Sequence, residues 1–414
     1  MAGIVGKAQP HKIVIVGAGL AGASAAAAVR EKGFEGDVLL MGADRHRPYE
    51  LPPLSKGLLL GTTDEPDWVR DEGFYAAQDI RLASGLTATR LELGARLVLD
   101  DAGGEHRFDR LVLATGSRPR PLPAPGGNFP GLYLLRTLDD ALSLRAAFVD
   151  ARRVVIVGAG WIGTEAAAAA RSHDADVTVV APGRRPLGKV LGPEVAGVFQ
   201  TLHEEHGVHW RLGEHVAEVT GDAGGVRGVR LQSGEELLAD AVLVAIGAAP
   251  RVELAHTAGL ELSEDGGVAV DAGLRTAAPD VYAVGDIASH FHPRYGHRVR
   301  VEHWATARTQ GAHVAGNLLG DNDPYLDSPY FFSDQYDLGM EYRGLADPDR
   351  DRLVVRGDLA ARDFTAFWVG AEGEVHAAMN VNQWDDGDAL QRLVDGRAKV
   401  SDEDLRSGDL AGLG

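Results

Sequence analysis

The same glycine signature occurs twice in this chain, as Gly17-Ala18-Gly19-Leu20-Ala21-Gly22 and as Gly158-Ala159-Gly160-Trp161-Ile162-Gly163. Each copy follows a short β-branched run, 13–16 and 154–157, and opens a small-residue stretch of helical composition, 21–30 and 161–171. In that context each glycine has a task. The first makes the tight strand-to-helix turn, the second lets backbone approach a pyrophosphate, and the third lets helix and strand pack closely. The phosphate then rests on the free N–H groups and positive dipole end of the helix. One such copy alone also reads as a close-packed βα unit without a ligand; two copies in context point to two nucleotides held by one chain.

Composition narrows the chemistry. A chain of 414 residues with 45% apolar content can build two or three domains with cores of their own. A formal charge of −19 argues against nucleic acid or an anionic membrane surface as a general partner. Residues 1–10 are short and mixed, and no apolar run is long enough to span a bilayer, so a soluble cytoplasmic protein is expected. There is no cysteine. That removes a redox-active disulfide, a cysteine-ligated iron–sulfur cluster and a cysteine nucleophile from this chain, and leaves bound organic cofactors to carry charge.

A second echo accompanies the first. Leu111-Val112-Leu113-Ala114-Thr115-Gly116-Ser117-Arg118-Pro119 resembles Val242-Leu243-Val244-Ala245-Ile246-Gly247-Ala248-Ala249-Pro250, each copy following its own glycine signature. The expected fold is therefore α/β, with two Rossmann-like dinucleotide-binding domains. A proline-rich crossover, 118–131, separates them. Strand-like runs at 353–357, 364–369 and 375–381 predict a smaller C-terminal α+β domain, and the acidic segment from Ser401 reads as a loosely held tail. The expected division is 1–118 with 247–322, then 119–246, then 323–414.

Four further stretches carry a family resemblance. They are Arg47-Pro48-Tyr49-Glu50-Leu51-Pro52-Pro53-Leu54-Ser55-Lys56, the turn Ala114-Thr115-Gly116, the segment from Thr276 through Tyr282-Ala283-Val284-Gly285-Asp286, and Tyr330-Phe331-Phe332-Ser333-Asp334-Gln335-Tyr336-Asp337. In this order the chain resembles the FAD-dependent, cysteine-free ferredoxin reductases of bacterial cytochrome P450 and aromatic-ring dioxygenase systems, relatives of rubredoxin reductases and apoptosis-inducing factor. The resemblance covers nearly the whole chain and implies that the two Rossmann-like domains are glutathione reductase-like. It implies that the first signature (Gly17, Gly19, Leu20, Ala21, Gly22), with Ala114, Thr115, Gly116 and Gly285, holds FAD. It also implies that the second (Gly158, Gly160, Trp161, Ile162, Gly163), with Gly247, holds a nicotinamide nucleotide.

Residue by residue, Asp44 beyond the strand 38–41 is placed to accept from the adenosine ribose, or is a solvated loop carboxylate. By resemblance Asp286 holds the ribityl chain, while its chemistry also suits a helix N-cap. Lys56 matches the family lysine that lies against the isoalloxazine. Glu165, read as first-turn in its helix, matches the glutamate that meets the nicotinamide amide and pairs with that lysine; together they are the catalytic pair. Arg47, Leu86 and Arg136 match flavin-contacting positions by resemblance, and Trp304 reads as a flavin neighbour or as a core tryptophan.

The pattern departs from the family at one place. The strand 177–180 runs into Ala181, where an NADH enzyme usually carries an acidic residue for the ribose 2′-OH, and Arg184 and Arg185 follow. Guanidinium groups without that carboxylate suit a 2′-phosphate, which tilts the expectation from NADH towards NADPH. His203, His206 and His209 lack the order of a metal motif, and no metal is expected. Histidines 290, 292, 297 and 303 cluster with Arg294, Arg298 and Arg300 in the most basic stretch of an acidic chain.

The expected activity is electron transfer from NAD(P)H through FAD to a small acidic iron–sulfur ferredoxin, docked on Arg298, Arg300 and Arg343, by a monomer or weak homodimer. Two other readings fit the same residues: a reductase of a small diffusible quinone or radical, and a nicotinamide-sensing flavoprotein.

Overall fold

The structure is a computed structural model describing residues 10–413. Residues 1–9, on which the expectation of no leader partly rests, lie outside the described residues. The chain divides into two compact units, one of residues 10–50, 67–118 and 249–327, the other of 51–66, 119–248 and 328–413.

In the first unit the β-branched run becomes the strand Lys12–Val16, the middle of a five-stranded parallel sheet. Asp37–Gly42 and then Ile80–Ser84 lie on one side of it; Arg110–Leu113 and then Val281–Ala283 lie on the other. The strands read as unbroken apolar runs because both sheet faces are covered. Leu20–Glu31 is the helix that the signature opens, and its alanines are all buried.

The second unit repeats the plan. Arg153–Val157 is central, Asp176–Ala181 and Val208–Leu212 lie on one side, and Ala241–Val244 and Leu132–Tyr133 on the other, all parallel. The signature helix is Trp161–Ser172. So the duplicated motif is a duplicated order of four strands, and only the fifth differs, coming last in sequence in the first unit and first in the second. Each glycine turn sits at the carboxyl end of a central strand, where parallel α/β sheets place their sites.

The same unit holds an antiparallel five-stranded sheet in the order Tyr330–Gln335, Leu338–Gly344, Val375–Val381, Asp363–Val369, Arg352–Asp358. The last three match the strands expected from sequence. Helix Gly387–Asp395 packs on this sheet through Ala389, Leu390, Leu393 and Val394. Together these elements are the two Rossmann-like folds and the α+β C-terminal region anticipated from sequence.

The expectation of a loose tail is corrected. Helix Asp402–Ser407 is capped by Ser401, and Leu405 and Leu410 are buried with Val354, Phe367 and Leu390. Burying each of these leucines contributes about 2 kcal/mol towards holding the segment against the sheet. Among the described residues no helix is long and apolar enough to cross a membrane.

Candidate active site

The first signature turn is shaped by backbone contact. Gly17 has φ +114°, and a Cβ there would fall 2.0 Å from the Ala114 carbonyl oxygen; at Gly22 it would fall 1.9 Å from that of Gly17. Gly19 differs, because a Cβ would meet nothing within 4 Å. It is the N-cap of its helix, and no side chain caps that end. The first-turn N–H groups of a helix have no intrahelical partner, so this end is an open cradle with a positive dipole, fit for a pyrophosphate.

Around that turn the first unit gathers polar groups. Asp44 accepts from the Tyr49 hydroxyl (2.8 Å) and from the His46 N–H (2.9 Å). The Arg47 guanidinium lies over the Trp68 ring, 4.3 Å from its centroid. Leu86 donates its N–H to the Gly42 carbonyl and packs against the unit's core. Ala114 donates its N–H to Val16, and the Thr115 hydroxyl donates to the Arg251 carbonyl (2.6 Å).

Asp286 is buried and accepts from the Ser117 hydroxyl at 2.6 Å. It lies inside the short 3₁₀ turn Gly285–Ile287, whose N-cap is Val284, so the N-cap reading of Asp286 is corrected. Gly285 donates its N–H to Gln310 Oε1 (2.9 Å). Trp304 opens the helix Trp304–Leu319; it is only partly buried, and its indole N–H donates to Glu50. Burial pushes the Glu50 carboxyl up, against the lowering effect of that hydrogen bond. Ser117, Glu50 and Gln310 were not singled out from sequence, although the first two lie inside quoted motifs.

The second unit reproduces the cradle. A Cβ on Gly158 would fall 2.2 Å from the Ala245 carbonyl oxygen and one on Gly163 2.1 Å from that of Gly158, whereas Gly160 again faces open space at an uncapped helix end. Trp161 meets Phe199 and Phe331 edge-on, while Ile162 is exposed. Gly247, at φ +99°, also has no neighbour in the Cβ direction within 4 Å. Ala181 is the buried last residue of its strand. Beyond it Arg184 is exposed, with no hydrogen-bond or ion-pair partner among the described residues, and Arg185 donates to Gln200 Oε1 (2.9 Å). Arg136 stands just before Thr137, the N-cap of Leu138–Asp150, and its N–H donates to Asp140.

Glu165 is the fifth residue of its helix, not part of the first turn, so dipole stabilisation does not account for it. Direct contacts do. Its Oε1 accepts from Lys56 Nζ at 2.7 Å and from the Ser333 hydroxyl at 2.6 Å, and its Oε2 accepts from the Ser55 hydroxyl. The Lys56 ammonium also sits 5.2 Å from the Phe332 ring centroid. Sequence paired Lys56 with Glu165; the two serines were missed, although both stand in the quoted motifs.

Two of the three arginines expected on the surface are spent internally. Arg343 is buried, donating to Asn380 Oδ1 (2.7 Å) and Glu341 (2.6 Å), which removes it as a docking residue. Arg300 is largely covered and pairs with Glu302 at 2.6 Å. Arg298 is exposed, though one end of its guanidinium is held by the Val270 and Ser289 carbonyls. Of the neighbouring histidines, His290 and His292 do not add charge at neutral pH. His290 is pushed down to about 4 by burial, and His292 is lowered by the same cause. His203 bonds Gln335 and His206 bonds the Leu202 carbonyl.

Two parallel folds, each with an open, uncapped glycine cradle, in a chain without cysteine, define a protein with two dinucleotide-binding folds. The sequence matches the family described as pyridine nucleotide-disulphide oxidoreductase over residues 11–311, and that described as reductase C-terminal over 330–411. It is 41% identical, over 92% of this chain and 93% of the other, to the anthranilate 1,2-dioxygenase system ferredoxin–NAD(+) reductase component of Burkholderia cepacia. To putidaredoxin reductase of Pseudomonas putida it is 37% identical, over 94% and 92%. Its fold matches the crystal structure of the covalent putidaredoxin reductase–putidaredoxin complex with a TM-score of 0.91 at 35% identity, covering 96% of each chain.

The chain belongs to the pyridine nucleotide-disulphide oxidoreductase family, as a member that lacks the disulphide. Membership implies FAD and a nicotinamide nucleotide as the two nucleotides, and the two open cradles fit them.

Proposed function

We propose that this protein is the cytoplasmic ferredoxin–NAD(P)+ reductase of an oxygenase system, taking electrons from a nicotinamide nucleotide and passing them to a small iron–sulfur ferredoxin. FAD, when bound, supplies the chemistry that accepts electrons as a pair and releases them singly, which links a nicotinamide to a one-electron acceptor. The observation that carries this reading is the pair of open glycine cradles, each at an uncapped helix end.

The chain's own residues supply orientation and charge. In the first unit, Gly17, Gly19 and Gly22 seat the FAD pyrophosphate, Asp44 accepts from its ribose, and Asp286, steadied by Ser117, holds the ribityl chain. In the second, Gly158, Gly160 and Gly163 seat the nicotinamide nucleotide, and Glu165 orients its carboxamide. Lys56 is kept as a fixed cation by Glu165, and no general base is required. Arg184 is the residue that would meet a 2′-phosphate. Arg298 remains the exposed cation for steering an acidic ferredoxin, an attraction that weakens with salt.

A comparison of acceptors tests the reading. The FAD-loaded protein, supplied with NADH or NADPH, is expected to reduce [2Fe–2S] ferredoxins of oxygenase systems far faster than quinones. A preference for quinones would contradict it.

A further inference from the structure

Behind Glu165 runs a chain of buried side chains whose hydrogen-bond directions are all determined. The Thr164 hydroxyl donates to the carbonyls of Trp161 (3.0 Å) or Gly160 (3.2 Å), so towards Gln335 Nε2, 3.0 Å away, it acts as acceptor. The Ser333 hydroxyl donates to Glu165 Oε1, so its oxygen accepts from the same amide nitrogen at 3.1 Å. With both amide hydrogens of Gln335 spent, its Oε1 must accept, and the donor is His203 Nε2 at 2.8 Å. That fixes the tautomer of His203, whose buried Nδ1 has no partner among the described residues. Thr164, Glu165, His203, Ser333 and Gln335 are all buried. Ser333 and Gln335 share one face of the strand Tyr330–Gln335 because strand side chains alternate.

The path from His203 through Gln335 and Ser333 to the Glu165 carboxylate therefore has a single donor direction, with Thr164 taking the second amide hydrogen of Gln335. An amide in the middle of such a chain orients its neighbours but does not pass a proton along. The Glu165 Oε1 oxygen is also the one that Lys56 contacts, so the Ser333 bond decides how the carboxylate is divided between Lys56 and whatever else it meets.

We propose that Gln335 is a positioning residue for Glu165, acting through Ser333 and anchored by His203. This rests on the assignment of Glu165 to the nicotinamide made above.

The test uses the FAD-loaded protein with Gln335→Met, which keeps length and removes both donors and acceptor, and Ser333→Ala, which keeps the fold if the first variant does not. Two quantities are read: the rate of flavin bleaching by NADH, and the calorimetric affinity for NAD+. Both variants are expected to slow bleaching about tenfold and to weaken NAD+ binding, with FAD content unchanged. Added to Glu165→Gln, neither is expected to cause further loss, because both act through that carboxylate. Wild-type rate and affinity in both variants, with Glu165→Gln slow, would overturn the positioning role alone, as would additive losses in the double variants. A wild-type rate in Glu165→Gln would overturn both the positioning role and the assignment of Glu165.

Discussion

Lys56 Nζ lies 2.7 Å from Glu165 Oε1, with side chains only 16% and 5% exposed, so a lysine at the start of the short helix Gly57–Leu60 is tied to the second signature helix. Removing either partner is not equivalent. Glu165 is the more deeply buried and would keep only its two serine donors, whereas Lys56 retains some access to water. Lys56→Met is therefore expected to cost about 3 kcal/mol in urea unfolding, and Glu165→Gln about half that. Equal losses would show that the burial asymmetry does not govern the pair.

Two glycines of one motif are expected to fail in different ways. Gly17→Ala sets a Cβ 2.0 Å from the Ala114 carbonyl oxygen at positive φ, so the protein should not fold to a soluble form. Gly19→Ala meets no protein atom within 4 Å, so it should fold yet purify with little flavin. In the second unit Gly160→Ala should keep its flavin and raise KM for the nicotinamide nucleotide. Soluble yield reads the first, absorbance at the flavin band against protein content the second, and steady-state kinetics the third; a fully flavin-loaded Gly19→Ala would remove the first cradle from the account.

Arg184 gives the nucleotide preference a handle, being exposed and unpaired among the described residues beyond the buried Ala181. Arg184→Ala is expected to lower kcat/KM for NADPH about tenfold and to leave that for NADH within twofold, as loss of a phosphate contact requires. The Burkholderia cepacia relative is named a ferredoxin–NAD(+) reductase component, and a strong wild-type preference for NADH that the substitution does not alter would decide against NADPH.

Acid sensitivity should begin above the carboxylate range. Burial pushes His203 and His290 each down to about 4 from an ordinary 6.5. The unfolded chain then binds their protons more tightly, so this stability is complete above pH 6.5 and is lost as pH falls towards 4. By pH 5 each histidine costs up to about 2 kcal/mol. Glu50, raised by burial, works in the opposite sense, and the lowered carboxylates Asp100 and Asp240 lose their contribution only at lower pH. Urea midpoints at pH 7, 6 and 5 should fall steadily for the wild type and less for His290→Gln. Parallel curves would refute the histidine origin.

Much of this was legible in sequence because it depended on backbone geometry. A glycine at which a Cβ would fall 2.0 Å from a carbonyl oxygen leaves a mark in the chain, and so does the β-branched run before it. Other features left no such mark. The strand Leu338–Gly344 escaped notice because Glu341 and Arg343 neutralise each other inside the sheet and disguise a buried strand as a polar one. For the same reason Arg343 looked like a docking cation. Ser55, Ser333 and Gln335 are ordinary polar residues whose roles arise only when three distant segments meet around Glu165. The tail misled because its acidic residues outnumber the two leucines that bury it.

The central claim is that one chain holds both nucleotides and hands electrons to a separate protein. Anaerobic stopped-flow mixing of the purified, FAD-loaded protein with NADH or NADPH, and then with a [2Fe–2S] ferredoxin, tests it most directly. The expected result is bleaching of the flavin band by the nucleotide, followed by its recovery in step with reduction of the ferredoxin, and slower recovery at high salt. A protein that purifies without flavin, or a bleached flavin that no ferredoxin reoxidises, would contradict the account.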